Sequence, residues 1–276
     1  MAYDKRWLVT IPLLILGVSA VAVHQNAGQD QETTCTPDAP DASPEANVLD
    51  VEALIAEYAL AVNAAHAALE RGRWADAAAL APPPGAFAWS RFPQAWAATY
   101  VARAVGAARL RQAARARQEL EQLRLLRHTL LTNGLCDWAY EVAIRHRVAA
   151  AWLANTEGNR EEAVQLMRSA ADLEAASTKH PMLTPPIALA HESLGELLLE
   201  HGEPGHALQA FETSLREYPS RLTALYGAAL ASELSGDRAK AQAFSRQFVR
   251  AAERVTSDSS KLARAKTFLA TEHVEP

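Results

Sequence analysis

The sequence predicts an all-α protein in which helical hairpins stand side by side. Alanine and leucine dominate, aromatic residues make up only 7%, and runs of alternating β-branched residues are nearly absent. A second observation is a repeat near the C-terminus. Gly202-Glu203-Pro204-Gly205-His206-Ala207 is echoed 34 residues later by Gly236-Asp237-Arg238-Ala239-Lys240-Ala241. A period of that length is expected of helix–turn–helix units that bury their apolar faces only against their neighbours. Third, Gly, Asn-Gly and Pro runs punctuate the chain at intervals that suit paired helices.

The elements follow in order. Lys5 and Arg6 precede an apolar run from Trp7 to Val23, interrupted only by Thr10, Pro12, Gly17 and Ser19. Residues 1–23 therefore read either as a signal peptide, with Ala20 and Ala22 as candidate cleavage points, or as a retained signal anchor. Both readings place the rest of the chain outside the cytoplasm. Residues 24–48 are rich in Gln, Asp, Thr, Pro, Ser and Ala. They carry Asp30, Glu32, Asp38, Asp41 and Glu45 with no Lys or Arg, which predicts an acidic disordered linker. The solenoid is expected over 49–272, with Asp50 as its first N-cap.

Five hairpins are predicted: 50–71 with 73–81, 93–110 with 113–130, 137–155 with 159–177, 187–201 with 204–217, and 220–235 with 237–253. A capping helix over 258–271 closes the stack. Leu54, Tyr58, Ala61, Ala65 and Leu69 form the apolar stripe of the first helix. Pro82-Pro83-Pro84-Gly85 ends the first hairpin, because no helix tolerates such a run. Asn133-Gly134 ends the second, and an irregular insertion containing Pro181, Pro185 and Pro186 separates the third from the fourth.

In this arrangement the chain resembles the tetratricopeptide repeat (TPR) family and, over 170–236, a group of bacterial TPR proteins. The fourth hairpin matches best. Leu194-Gly195 stands at the family's Leu-Gly pair, Gly202 at the turn, Ala207 and Phe211 at the small and large positions of the second helix, and Pro219 at the closing proline. The fifth keeps Gly236, Ala241 and Phe248, with Ala228-Ala229 in place of Leu-Gly. The third keeps Gly158, Ala163 and Ala170, and the first keeps Gly72, Trp74 and Ala77. In the second, Arg111 occupies the turn glycine's position. Turn positions 72, 111, 158, 202 and 236 are spaced by 39, 47, 44 and 34 residues, so only the last interval has the family period. Packing explains the pattern: Gly195 and Ala207 must be small where helices cross, and Phe211 and Phe248 fill the space between hairpins.

The resemblance implies that the first helix of each hairpin lines a concave, partner-binding groove. Its register points to Arg145, Val148, Trp152 and Asn155 in the third hairpin, Leu189, Glu192, Glu196 and Leu199 in the fourth, and Thr223, Tyr226, Leu230 and Glu233 in the fifth. The Lys/Asn/Arg set with which some members hold a C-terminal carboxylate is missing from this register.

Other chemistry is weakly signalled. His180, Met182, His191, His201 and His206 suit soft metal ions by type, but their spacing is poor and no metal is expected. Trp74, Phe87, Trp89, Phe92, Trp96 and Tyr100 are dense for so aromatic-poor a chain and read as packing around an irregular 82–92 segment. Arg103, Arg109, Arg111, Arg115, Arg117, Arg124 and Arg127 make 101–127 basic, yet the net charge of −5 argues against a nucleic-acid binder. Cys35 and Cys136 are taken as unpaired. Serine-elbow, phosphate-loop and His-Glu-x-x-His signatures are missing, so no catalytic residues, cofactor or small-molecule substrate are expected. The expected function is a non-catalytic protein–protein interaction scaffold of the bacterial cell envelope, periplasmic or membrane-anchored, with a protein partner in its groove. The alternatives are a periplasmic small-ligand or metal-binding module, or an accessory subunit of an envelope enzyme complex.

Overall fold

Turn chemistry and apolar spacing produce a chain of short-linked helices in the computed structural model, which describes residues 62–81, 95–177, 189–254 and 260–271. Among these residues there are eleven helices and no strand. They are α1 (62–70), α2 (Trp74–Ala78), α3 (Ala95–Arg109), α4 (Ala113–Thr132), α5 (Cys136–Thr156) and α6 (Arg160–Ala176). Then come α7 (Ala190–Glu200), α8 (Pro204–Glu217), α9 (Leu222–Leu234), α10 (Arg238–Ala252) and α11 (Ser260–Ala270). From α2 onward each helix packs on the next, and α3, α5, α7 and α9 also pack in sequence on one another. This is the arrangement of an α-solenoid: second helices on one side, first helices on the other.

The turns inside the hairpins share one geometry. After α7 the Gly202 N–H donates to the Leu199 carbonyl and the Glu203 N–H to the Leu198 carbonyl, with Gly202 at φ 76°. This double bond with a left-handed residue closes a helix in the Schellman manner. The turn after α3 repeats the two bonds, from Arg111 to Ala108 and from Gln112 to Ala107, but with an arginine at φ 59°. A side chain there is strained where the other turns carry glycine. Pro204 opens α8, where its missing N–H costs nothing. Asp237 caps α10 by accepting from the Lys240 N–H at 3.0 Å.

Small residues set how closely the helices approach. Ala77, Ala116, Ala163, Ala207 and Ala241, at equivalent places in the five second helices, are all fully buried. Phe211 of α8 is fully buried between two glycines. A Cβ on Gly195 of α7 would lie 2.6 Å from its ring, and one on Gly227 of α9 would lie 2.3 Å from it. The ring thus joins the fourth hairpin to the fifth. Gly106 of α3 is small for a different reason, since a Cβ there would come within 2.6 Å of the Ala78 backbone nitrogen of α2. A continuous core runs from α1 to α9, and a smaller one of Leu225, Phe248, Ala252 and Ala265 seats α11 on the end of the stack.

Helix α2 spans only five residues, shorter than the predicted 73–81. Cys136 is disulfide-bonded, which corrects its reading as an unpaired thiol. Of the chain's two cysteines the other, Cys35, lies outside the described residues. The apolar run 7–23, the linker 24–48, the N-cap Asp50, and the insertions 82–92 and 178–186 also lie outside the described residues. Among the described residues no helix is long and apolar enough to cross a membrane.

Candidate partner-binding face

The ends of the first helices converge on the Arg109 guanidinium. It lies over the ring of Trp74 at 4.7 Å and over that of Trp152 at 4.2 Å, and it forms an ion pair with Glu200. Arginine suits this place because its planar cation stacks on aromatic faces while its edge still donates. Asn155 donates to Glu200 at 3.3 Å and accepts from His201 Nε2 at 2.8 Å. Burial and the nearby Arg160 charge lower the His201 pKa. The Thr156 hydroxyl ties α5 to α3 through the Ala108 carbonyl at 2.7 Å.

At the opposite end of the first helices stands Arg221, immediately before α9. It donates to both Glu192 oxygens, at 2.9 and 2.8 Å, and to Glu70 at 2.7 Å. Burial opposes the Glu70 charge, but the hydrogen bond with His66 and the Arg221 charge hold its carboxyl below the usual value. The Arg109–Glu200 pair reaches past one intervening hairpin and the Glu70–Arg221 pair past three. Such contacts form only where non-adjacent hairpins lean toward each other, so the first-helix side is the inner side of the array.

The predicted groove residues fall into distinct environments on this side. Arg145 is buried and bonded to Glu174, with Glu141 at 3.4 Å, and Glu174 also accepts from the Ala190 N–H at 2.8 Å. This buried ion pair fastens the start of α7 to α5 and α6. Val148 and Leu189 are core residues. Trp152, Asn155 and Glu192 are engaged in the two networks above. Tyr226 packs against Phe248 at 5.3 Å and carries Lys261 over its ring at 5.4 Å, while Glu233 pairs with Arg264 of α11 at 2.9 Å. Thr223, Leu199 and Leu230 are half-buried.

Glu196 differs from the rest. It sits at the middle of α7, one turn from both Glu192 and Glu200, and is half-buried. Its carboxylate makes no hydrogen bond or ion pair within 4 Å among the described residues. Burial pushes the carboxyl up, Lys261 and Arg109 pull it down from a distance, and Glu192 and Glu200 push it up again. Its two acidic neighbours have their cations; Glu196 does not.

No protein-family model matches the chain, and a search of curated proteins finds no significant match.

Of the other sequence-level candidates, Trp96 and Tyr100 stack at 5.6 Å on α3, and Trp74 is one face of the Arg109 sandwich. Phe87, Trp89, Phe92, His180 and Met182 lie outside the described residues. No group of three His, Cys, Asp or Glu side chains able to hold a metal ion occurs among the described residues. His206 pairs with Glu203 at 3.1 Å on the surface. The basic run of 101–127 is largely spent on structure: Arg103 and Arg115 donate to the Leu80 and Ala78 carbonyls that end the first hairpin, and Arg117 pairs with Glu157.

Sequence reasoning missed Glu70, Arg109 and Arg221. Arg221 and Glu70 are 151 residues apart, so no local pattern links them. The available signal was Arg221 at the start of the predicted 220–235 helix, one hairpin from Glu192.

Proposed function

We propose that the protein is a TPR-type interaction scaffold whose first-helix face receives a segment of another protein, and that it works outside the cytoplasm. The observation that carries this reading is Glu196, a carboxyl in the middle of α7 with no hydrogen-bond or ion-pair partner among the described residues. A lysine or arginine of a partner would neutralise it, and the low-dielectric surroundings that disfavour the isolated charge would strengthen the pair once formed. Half-buried Leu199 and Leu230 on the same face offer apolar contact beside it. The TPR assignment is supported by the shared turn geometry, by alanine at the equivalent buried positions, and by the Gly195–Phe211 contact. The disulfide at Cys136 supports an oxidising compartment, in agreement with the apolar, positively flanked N-terminus.

A photo-crosslinking residue placed in the full chain at Leu199 or Leu230 tests the reading in cells. It should capture one protein in common, while the same group at exposed second-helix positions Arg168 or Gln209 should not. The captured protein should bind more tightly as pH rises through the raised Glu196 value, and Glu196→Gln should weaken it about tenfold, as loss of one charge-assisted bond implies. Capture from second-helix positions alone, or full affinity in Glu196→Gln, would defeat the proposal.

A further inference from the structure

The first and fifth hairpins are tied together by one guanidinium. Arg221, on the threshold of α9, grips Glu192 of α7 with two nitrogens and Glu70 at the end of α1 with the third. We propose that Glu70, Arg221 and Glu192 form a clasp that holds the inner face of the array closed, and that release of Glu70 lets the face widen.

The two halves of the clasp differ in kind. The Arg221 and Glu192 side chains are 12% and 5% exposed, and Ser214 lies 3.4 Å from the same Glu192 oxygen. That half is bidentate and shielded from water, so it belongs to the permanent packing of α7, α8 and α9. Glu70 is 45% exposed and meets a single nitrogen. Its partial support is His66, one turn back on α1, with Nδ1 at 3.7 Å. With its Glu70 side about half open to solvent, this contact is weaker and more sensitive to salt than the shielded Glu192 half.

The consequence follows from how a stack transmits shape. Each hairpin packs on its neighbours, so small rotations between hairpins add up along the array. A bond that skips from the first hairpin to the fifth opposes the sum of those rotations, whereas a bond between neighbours opposes only one. Glu70–Arg221 therefore has leverage on the width of the inner face out of proportion to its strength. It also sits one helical turn from Glu196, because Glu192 and Glu196 share a face of α7. An incoming segment that reaches Glu196 meets the clasp next. The protein would thus exist in a closed form with Glu70 bound and an open form with Glu70 released, and ionic conditions would set the balance. This device does not depend on the identity of any partner.

Distance measurement by electron–electron double resonance tests it in the full chain. Spin labels are carried on unnatural side chains at exposed Ala75 and Arg216, leaving the cysteines untouched. At about 0.02 M salt the wild type should give a short, narrow distribution. At about 1 M, where screening acts within about 3 Å, it should lengthen and broaden. Glu70→Lys, which sets like charges against each other, should give the long distribution at low salt. Glu70→Gln, which keeps the shape of the side chain, should fall between the two. Both variants retain the buried Arg221–Glu192 pair, and circular dichroism confirms their folding. Identical distributions for wild type, Glu70→Gln and Glu70→Lys at low salt would overturn the clasp. So would a wild-type distance that ignores salt, because curvature would then come from hairpin packing alone.

Discussion

Substituting Gly227 by alanine should break the joint between the fourth and fifth hairpins. The added Cβ would stand 2.3, 2.5 and 2.7 Å from three atoms of the Phe211 ring, against an ordinary contact of 3.4 Å or more. The ring must withdraw by about an ångström, yet Gly195 backs it from the opposite side and Phe211 has no exposed edge. Overpacking of this kind costs about 1–3 kcal/mol, and confinement on two sides places the expected loss near the upper end, about 3 kcal/mol. Chemical denaturation followed by helical circular dichroism should report that loss as an earlier transition. Phe211→Leu shortens the ring's reach, so the double variant Gly227→Ala/Phe211→Leu should be less destabilised than the two single losses added together, by at least about 1 kcal/mol. Gly227→Ala within about 0.5 kcal/mol of wild type, or simple additivity with Phe211→Leu, would refute the two-sided packing argument.

Other expectations can be checked on the same material. Arg111→Gly should stabilise the protein by about 0.5–1 kcal/mol. It removes a side chain from a left-handed backbone at φ 59° and loses no described contact, and the gain should appear as a later urea midpoint with an unchanged slope. Because the His66 hydrogen bond and the Arg221 charge hold the folded Glu70 carboxyl below the ordinary carboxylate value against its burial, its contribution is fully present above that ordinary value and is lost as pH falls through the folded one. Acid unfolding profiles of wild type and Glu70→Gln should therefore converge at low pH and separate above it; parallel profiles would contradict this. Cys136 should resist alkylation in the native protein until a reductant is added, and ready labelling of Cys136 beforehand would remove the support for an oxidising compartment.

Much of this architecture was legible because the signals that end helices are local. Gly72, Gly158, Gly202 and Gly236 mark turns whose left-handed backbone only glycine adopts freely, and even Arg111 was placed correctly by its register. Apolar periodicity located the helices between them. The alanine positions followed from the same register, because a hairpin's second helix must be small where it meets the first. Gly195 was expected to be small where helices cross, but that it and Gly227 enclose the Phe211 ring from two sides is seen only in the folded molecule. The inner face was harder to read. Register nominated Arg145, Trp152, Glu192 and Glu196 on the first helices, and the structure buries the first three. Register does not tell which of those charges the chain itself neutralises. Arg145 meets Glu174 after 29 residues and Arg221 meets Glu70 after 151, distances at which sequence spacing carries no geometric information. The distinction between Glu192, which is fully paired, and Glu196, which is not, belongs to the folded molecule.

Native-state hydrogen exchange resolved along the chain in Gly227→Ala tests the stacked architecture most directly. If each hairpin is covered chiefly by its neighbours, protection should fall in α7 through α10 and stay close to wild type in α3 and α4. Equal loss of protection from α3 to α10 would mean that the helices stand or fall as one cooperative globule, and the account of a row of mutually covering hairpins with an inner binding face would be contradicted.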